Sequence, residues 1–336
     1  NAIEVAVGEQ ESCALRSDGS VVRWPNFSEY NVIFMVTNGN EITAVTNDSE
    51  MLAGGAVRIS SSDYRVLALM ANGLVNEWFQ GNSYPITVPE SISNVVAISA
   101  GRYNNLALGV DGKVFSWSNG ILITNVPTTL SNVVAISAGA WQNLALKSDG
   151  TVVAWGSTNL APGLTNIIAI AAGNNHSLAL RSNGRIVSWG DNTYGQRNGL
   201  TSLTNVVAIS AGHLHSMALL NNGTVVVKGL TALTNIPVGL PFVTSLSSGL
   251  PTNMCAVVVD TGRAATPPVV LSTYPFAQTQ RIGATAYIAA YTIGVNLHYQ
   301  WYFGTNQLAG QTNSWLTLSD LHPSDSGDYW VVVSNE

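Results

Sequence analysis

A glycine recurs along this chain with an alanine six residues on, a second glycine at eleven and a tryptophan at sixteen. The frame fits four times without a gap: Gly8, Ala14, Gly19, Trp24; then Gly101, Ala107, Gly112, Trp117; then Gly139, Ala145, Gly150, Trp155; then Gly173, Ala179, Gly184, Trp189. Three copies are degenerate. In one, Ser62 precedes Ala68, Gly73 and Trp78; in another, Gly212, Ala218 and Gly223 are followed by Lys228 where tryptophan belongs. The last runs from "FVTSLSSG", ending at Gly249, to "MCAVVVDTG", where the frame alanine, read as Ala256, arrives late. Nothing narrows the choice of folds more. A repeat of fixed period is one supersecondary unit that must bury its faces against its neighbours.

The stretch "LALKSDGTVVAWG", residues 144 to 156, shows what that unit is. Asp149-Gly150 lies between two apolar runs, and an Asp-Gly pair is a strong hairpin signal, read here as a two-residue turn with φ > 0 at both central residues. The same punctuation stands at Asp18-Gly19, Asn72-Gly73, Asp111-Gly112, Asn183-Gly184, Asn222-Gly223 and, more weakly, Thr261-Gly262. The copies begin 54, 39, 38, 34, 39 and 37 residues apart, and a four-stranded unit of about that length is a propeller blade. The expectation is an all-β, seven-bladed β-propeller over residues 1–265, with Trp24, Trp78, Trp117, Trp155 and Trp189 packed between blades. The extra segment "NVIFMVTNGNEITAV", residues 31 to 45, reads as a hairpin turning on Asn38-Gly39. It is either an insertion decorating one face or the remains of an eighth blade, and the lack of room for a first strand between Trp24 and it favours insertion.

Composition narrows the partners. The formal net charge is −6, and the only lysines are Lys113, Lys147 and Lys228, so no basic stripe is available to neutralise nucleic-acid phosphates. No apolar run approaches the roughly 20 residues of a membrane helix. Only 10% of residues are charged, with Asn, Ser, Thr and Gly filling the polar positions, a profile that suits an extracellular all-β protein. The chain opens inside a strand, "IEVAVG", so any export signal would have been removed before this numbering starts. Cys13 and Cys255 each precede a frame alanine and would hold equivalent places in the first and seventh blades. They are either a ring-locking disulfide or two core thiols too far apart to bridge.

The frame as a whole, "VVAISAG....LAL..DG.V..WG", with its fullest copy "AAGNNHSLALRSNGRIVSWGDNTYGQ" at residues 171 to 196, resembles the regulator-of-chromosome-condensation propeller repeat. The copies are closest in length to the short bacterial form, which includes the secreted propeller-type β-lactamase inhibitory proteins. After Ala265 the pattern stops at a Pro-marked linker, "ATPPVV". "YQW" at 299 to 301, "LTLSDL" at 316 to 321 and "DSGDYWVVVSN" at 325 to 335 resemble a bacterial Ig-like domain over residues 266–336. That resemblance implies Trp301 as the core tryptophan and Tyr329 as a tyrosine corner, with Ala290 and Val331 where a disulfide usually stands. It also implies that the last strand is missing, leaving an open edge through which the protein could assemble with another strand.

Candidate chemistry is sparse. His176, His215 and nearby His213 are repeat-position imidazoles without the further ligands a zinc site needs, so no metal or cofactor is expected. Asp18, Asp111 and Asp149 are selected by turn geometry, as Asn is at 72, 183 and 222. No nucleophile elbow or phosphate-cradling loop is present, so an enzyme is not expected. What differs between copies is more telling. The two residues after the blade glycine read Glu9-Gln10, Asp63-Tyr64, Arg102-Tyr103, Ala140-Trp141, Asn174-Asn175, His213-Leu214 and Leu250-Pro251, all opening on one face by symmetry. Large aromatics beside Arg are the usual residues of binding hot spots. The expected binding residues are therefore Asp63, Tyr64, Arg102, Tyr103, Trp141 and His213, on a secreted or cell-surface module that binds a protein or a surface glycan. An enzyme inhibitor using the same face and a propeller hydrolase or lyase are the alternatives.

Overall fold

The computed structural model describes all residues except 1, 9–10, 17, 26–31, 39–40, 44–49, 80–83, 87, 124, 157–159, 162, 231–241, 249–254, 261–268, 275–281, 284–285, 294–296, 314 and 336. The hairpin expected at Thr261-Gly262, the loop pairs Glu9-Gln10 and Leu250-Pro251, and the side chains of Trp24, Cys255 and Ala290 lie outside the described residues.

Every described element is a strand, apart from two short 3-10 turns. Each copy of the frame forms its own small sheet. The fourth, for example, runs Val133–Ala138, Gln142–Lys147, Val152–Gly156, with each strand antiparallel to the next. Among the described residues there are seven such sheets, and most have three strands rather than the four expected. The short repeat leaves little chain for a fourth; the third sheet manages only the two-residue Ile121–Leu122. The first strands lie side by side in a closed cycle, each against the next and the seventh, Phe242–Ser248, against the first, Ala2–Val7.

Period-two alternation explains how one sheet serves two neighbours. In the third sheet, Ile98, Ala100, Ala107 and Trp117 pack against Leu67, Leu69 and Val75 of the second. On its other side Ala97, Leu106, Leu108 and Val114 meet Val133, Ala145 and Trp155 of the fourth. Because both faces are covered, the middle strand Asn105–Gly109 is buried at every position, and residues 106–109 read as a continuous apolar run. Trp78, Trp117, Trp155 and Trp189 are all buried in clusters of this kind, each joining two consecutive sheets.

Polar seams tie the sheets at their inner edges. Ser60, Ser99 and Ser137 accept hydrogen bonds through Oγ from the N–H groups of Ala100, Ala138 and Ala172 in the next sheet, each at 2.9 Å. Ser247 of the seventh sheet accepts one from Val7 of the first at 3.1 Å, so the closing seam has the same form as these three, while Ala6 and Ala171 take the serine's place in the first and fifth sheets. Glycine at the head of the frame permits this approach. A Cβ at Gly139 would stand 2.5 Å from the Gly173 carbonyl oxygen and 3.0 Å from that of Gln142. Gly139→Ala is accordingly expected to cost about 1–3 kcal/mol, seen as a lower urea midpoint with an unchanged m-value; an unshifted midpoint would show that the seam can spread.

Two local expectations need correction. The Asp-Gly hairpins are not two-residue turns with φ > 0 at both central positions, because only the glycine is left-handed, as at Gly150 with φ 76°. Gly150 N–H bonds to Lys147 O and Lys147 N–H to Thr151 O, both at 2.9 Å, which closes a three-residue loop. Asp149 serves by accepting from the Thr151 N–H at 2.9 Å, and Asp18, Asn72, Asp111, Asn183 and Asn222 do the same two residues on. The second correction concerns the cysteines. Ser247, the seam serine of the seventh sheet, pairs with Ala256, as Ser99 pairs with Leu106. The frame alanine's place is therefore taken by Val257, two residues late. Cys13 precedes Ala14 and pairs with Ala6, so its register counterpart is Ala256 rather than Cys255. The equivalence behind the proposed bridge does not hold.

The segment after Trp24 does form a hairpin, Val32–Asn38 with Glu41–Thr43. It joins the seventh sheet, with Val32–Asn38 running parallel to Cys255–Asp260. Beyond residue 268 lie two three-stranded sheets. Trp301 and Leu316, one from each, are buried together with Ile288, Tyr299, Tyr329 and Val331 around them. The Tyr329 hydroxyl donates to the Asp325 carbonyl oxygen at 2.9 Å, and Trp301 Nε1 donates to Asn313 O at 2.9 Å. Among the described residues, Tyr329–Asn335 pairs only with Leu297–Phe303 and so is an edge strand.

Candidate binding face

The loops joining first to second strands sit at one end of the sheets, beside the ends of the third strands, as the pairing of Asn105 with Trp117 shows. Beneath them a polar layer fills the third position after the frame glycine. Asn104 donates to Ser116 Oγ at 3.1 Å and to Asn143 Oδ1 at 3.2 Å. Gln142 Nε2 donates to the carbonyl oxygens of Gly173 at 3.0 Å and His176 at 2.9 Å. His176 Nε2 shares a hydrogen bond with Ser216 Oγ at 2.9 Å. Each therefore reaches from its own sheet into the next, and His176 and His215 are the imidazole members of this series. Burial pushes His176 down to about 4, with Asp191 opposing and Arg197 and His213 reinforcing the shift. Burial pushes His215 down to about 3, with His176 and His213 adding to it. No group of three or more His, Cys, Asp or Glu that could hold a metal ion occurs among the described residues.

The second sheet departs from the series. Arg65 takes the polar place, its Nε 3.8 Å from Glu77 Oε1. Glu77 is fully buried and accepts from Asn105 Nδ2 at 2.9 Å and Trp117 Nε1 at 2.8 Å. Sequence reasoning missed this node, although its signal was present: the residue before the frame tryptophan is Arg23, Ser116, Ala154 or Ser188 elsewhere, and an acid, Glu77, only here.

Above the layer, the variable pairs divide between inside and outside. Ala140 and Asn174 are buried while Trp141 and Asn175 are exposed. Trp141 keeps 50% of its surface, Tyr103 45% and Tyr64 41%. The rings of Tyr103 and Trp141, from adjacent sheets, meet at 4.6 Å with 47° between their planes. The Arg102 guanidinium stands 5.3 Å from the centre of the Tyr103 ring. Three of the six expected residues thus form one cluster. Tyr64 is exposed on the neighbouring sheet, Asp63 is half-buried in a left-handed turn with φ 54°, and half-buried His213 acts on His176 and His215.

The cluster stands on a fixed backbone. Arg102 N–H donates to Gly139 O and Ala140 N–H to Gly173 O, both at 3.3 Å. A Cβ at Gly156 would stand 2.5 Å from Trp141 O. The arrangement offers two half-exposed rings and a cation on one face, the groups that bury against a partner.

Comparison with known proteins agrees with this architecture. Residues 167–196 match the model of the regulator of chromosome condensation (RCC1) repeat. Protein pim1 of Schizosaccharomyces pombe is 26% identical over 147 residues, covering 35% of this chain and 27% of its own length, so the match spans only about a quarter of that relative. Among solved structures, human WBSCR16 superposes with a TM-score of 0.61 at 14% identity, covering 78% of this chain and 87% of its own. Prp20p of Saccharomyces cerevisiae, described with its binding to Gsp1p and histones, gives 0.54 at 19% identity over 73% of this chain and 80% of its own. The ectodomain of the Arabidopsis thaliana receptor kinase ACR4 gives 0.52 at 19% identity, over 72% and 83%. At these identities the structures speak for the fold alone: the chain has the fold of a β-propeller, and residues 167–196 carry an RCC1-type repeat.

Proposed function

We propose that this propeller is a non-enzymatic protein-binding module, a seven-bladed ring over residues 1–265 that presents its variable loops on one face at the cell surface or outside the cell. The Ig-like reading of residues 266–336 belongs to the same proposal; the buried Trp301 and the Tyr329–Asp325 hydrogen bond support it, and its assembly edge would be Tyr329–Asn335. The observation that carries the binding role is the half-exposed Tyr103–Trp141 pair beside Arg102. A propeller stabilised by this pair would bury it, whereas these rings leave about half of their area to a partner.

Proteins retained from surface and secreted fractions by the immobilised wild type, and not by the Tyr103→Ala, Trp141→Ala double variant, are the test. Calorimetry on the purified partner should show Trp141→Ala weakening binding by at least about 1 kcal/mol, with a melting temperature close to that of the wild type. A partner that binds both forms equally, or a variant that no longer folds, would place the surface elsewhere.

A further inference from the structure

Resting on that reading of the face, we infer that Arg102, Tyr103 and Trp141 receive a protruding protein loop that carries a carboxylate next to an apolar side chain. Three observations lead there. First, Arg102 is an uncompensated cation: among the described residues no carboxylate lies within ion-pairing distance of its guanidinium, which instead rests against the Tyr103 ring. A guanidinium with one face on a ring keeps its edge donors for a planar anion, and carboxylate is the side-chain group that matches that fork. The ring also shields the cation from water, which strengthens its pull on an incoming charge.

Second, the 47° between the Tyr103 and Trp141 planes makes a wedge and not a shelf. A sugar chain stacks its flat faces on exposed rings that lie parallel to it, and these two cannot both be parallel to one chain. The angled outer edge of two rings in contact seats a convex apolar side chain, and Arg102 over the Tyr103 ring is placed for its acidic neighbour. Third, the backbone beneath the wedge is fixed, because it is tied across two seams by the bonds from Arg102 to Gly139 and from Ala140 to Gly173. Little ordering is then left to oppose binding.

The probes are disulfide-closed octapeptides with Asp-Phe, Asn-Phe, Lys-Phe or Asp-Ser at the tip, together with a linear oligosaccharide. Binding to the full chain is followed by calorimetry and Trp emission. The Asp-Phe peptide should bind at least about tenfold more tightly than each of the other three peptides. Arg102→Glu should invert the order of Asp-Phe and Lys-Phe, and Trp141→Ala should weaken Asp-Phe binding by about tenfold; both variants should melt with the wild type. Equal affinity for Asp-Phe and Lys-Phe, an order that Arg102→Glu leaves unchanged, tighter binding of the oligosaccharide, or no peptide binding below about millimolar overturns the inference. Loss of peptide binding in Trp141→Ala without any charge preference would sink the carboxylate alone and keep the binding face. Peptide binding that Trp141→Ala does not touch would remove the face as well.

Discussion

Trp117→Ala is expected to destabilise the propeller more than the same change at Trp78, Trp155 or Trp189. Each substitution empties a place between two sheets at a cost of about 3–5 kcal/mol. Trp117 alone among these four gives its indole N–H to a partner, the buried carboxylate of Glu77 at 2.8 Å, while the other three indole nitrogens have none. Losing it leaves Glu77 with Asn105 and the longer Arg65 contact in a site closed to water. The phenylalanine series separates the two contributions, since Phe fills most of the space without the donor. Trp117→Phe should cost about 1.5–3 kcal/mol more than Trp155→Phe, the value of a hydrogen bond to a charged group. Equal urea midpoints for the two Phe variants would refute the role given to Glu77.

Acid should strain the ring at the seams that carry His176 and His215. Both imidazoles are held neutral, down to about 4 and about 3 from an ordinary 6.5. Between those values the unfolded chain binds more protons than the folded one, so stability falls as pH drops from about 6.5 toward 3–4. The loss at pH 4 is on the order of 3 kcal/mol for each group. Glu4 acts in the opposite sense. Burial pushes its carboxyl up to about 7, against Arg58 and the hydrogen bond from Ile59 N–H, so the folded chain holds the extra proton there and stability is regained as pH falls from 7 toward 4.5. The histidine contribution is isolated by difference. Gln142 fills the same place in the fourth sheet, which makes His176→Gln, His215→Gln a substitution the fold already uses. Its urea midpoint should fall less between pH 7 and pH 4 than that of the wild type, and parallel pH profiles would show that these imidazoles are not the acid-sensitive groups.

Much of this was legible because it depends on single positions repeated in register. The frame glycines, the buried tryptophans, the hairpins and the exposure of Tyr103 and Trp141 follow from which residues recur and which do not. The turn type was misread because an Asp-Gly pair serves two loop lengths, and the choice lies in backbone bonds such as Lys147 N–H to Thr151 O rather than in the pair itself. The cysteine equivalence failed on two added residues in the seventh copy, which move every later side chain along the strand. Asn94, Asn132, Asn166 and Asn205, all left-handed just before or at the start of first strands, passed unnoticed; their recurrence one frame apart was the available signal. The meeting of Arg102, Tyr103 and Trp141 was not legible as a contact, since it joins two sheets through rotamers that neither strand fixes alone.

The hydrogen bond from Val7 to Ser247 bears on ancestry as well as on stability. It gives the first and seventh sheets the same junction that joins the second, third and fourth sheets to their successors, so the closing contact is of the same kind as contacts between covalently consecutive copies. A gene that grew by duplicating one copy could open its reading frame at any junction and still close the circle. What such a ring has to keep is the close approach of neighbouring first strands, which a serine hydroxyl makes at four of the junctions, while Ala6 and Ala171 hold the serine's place at two others.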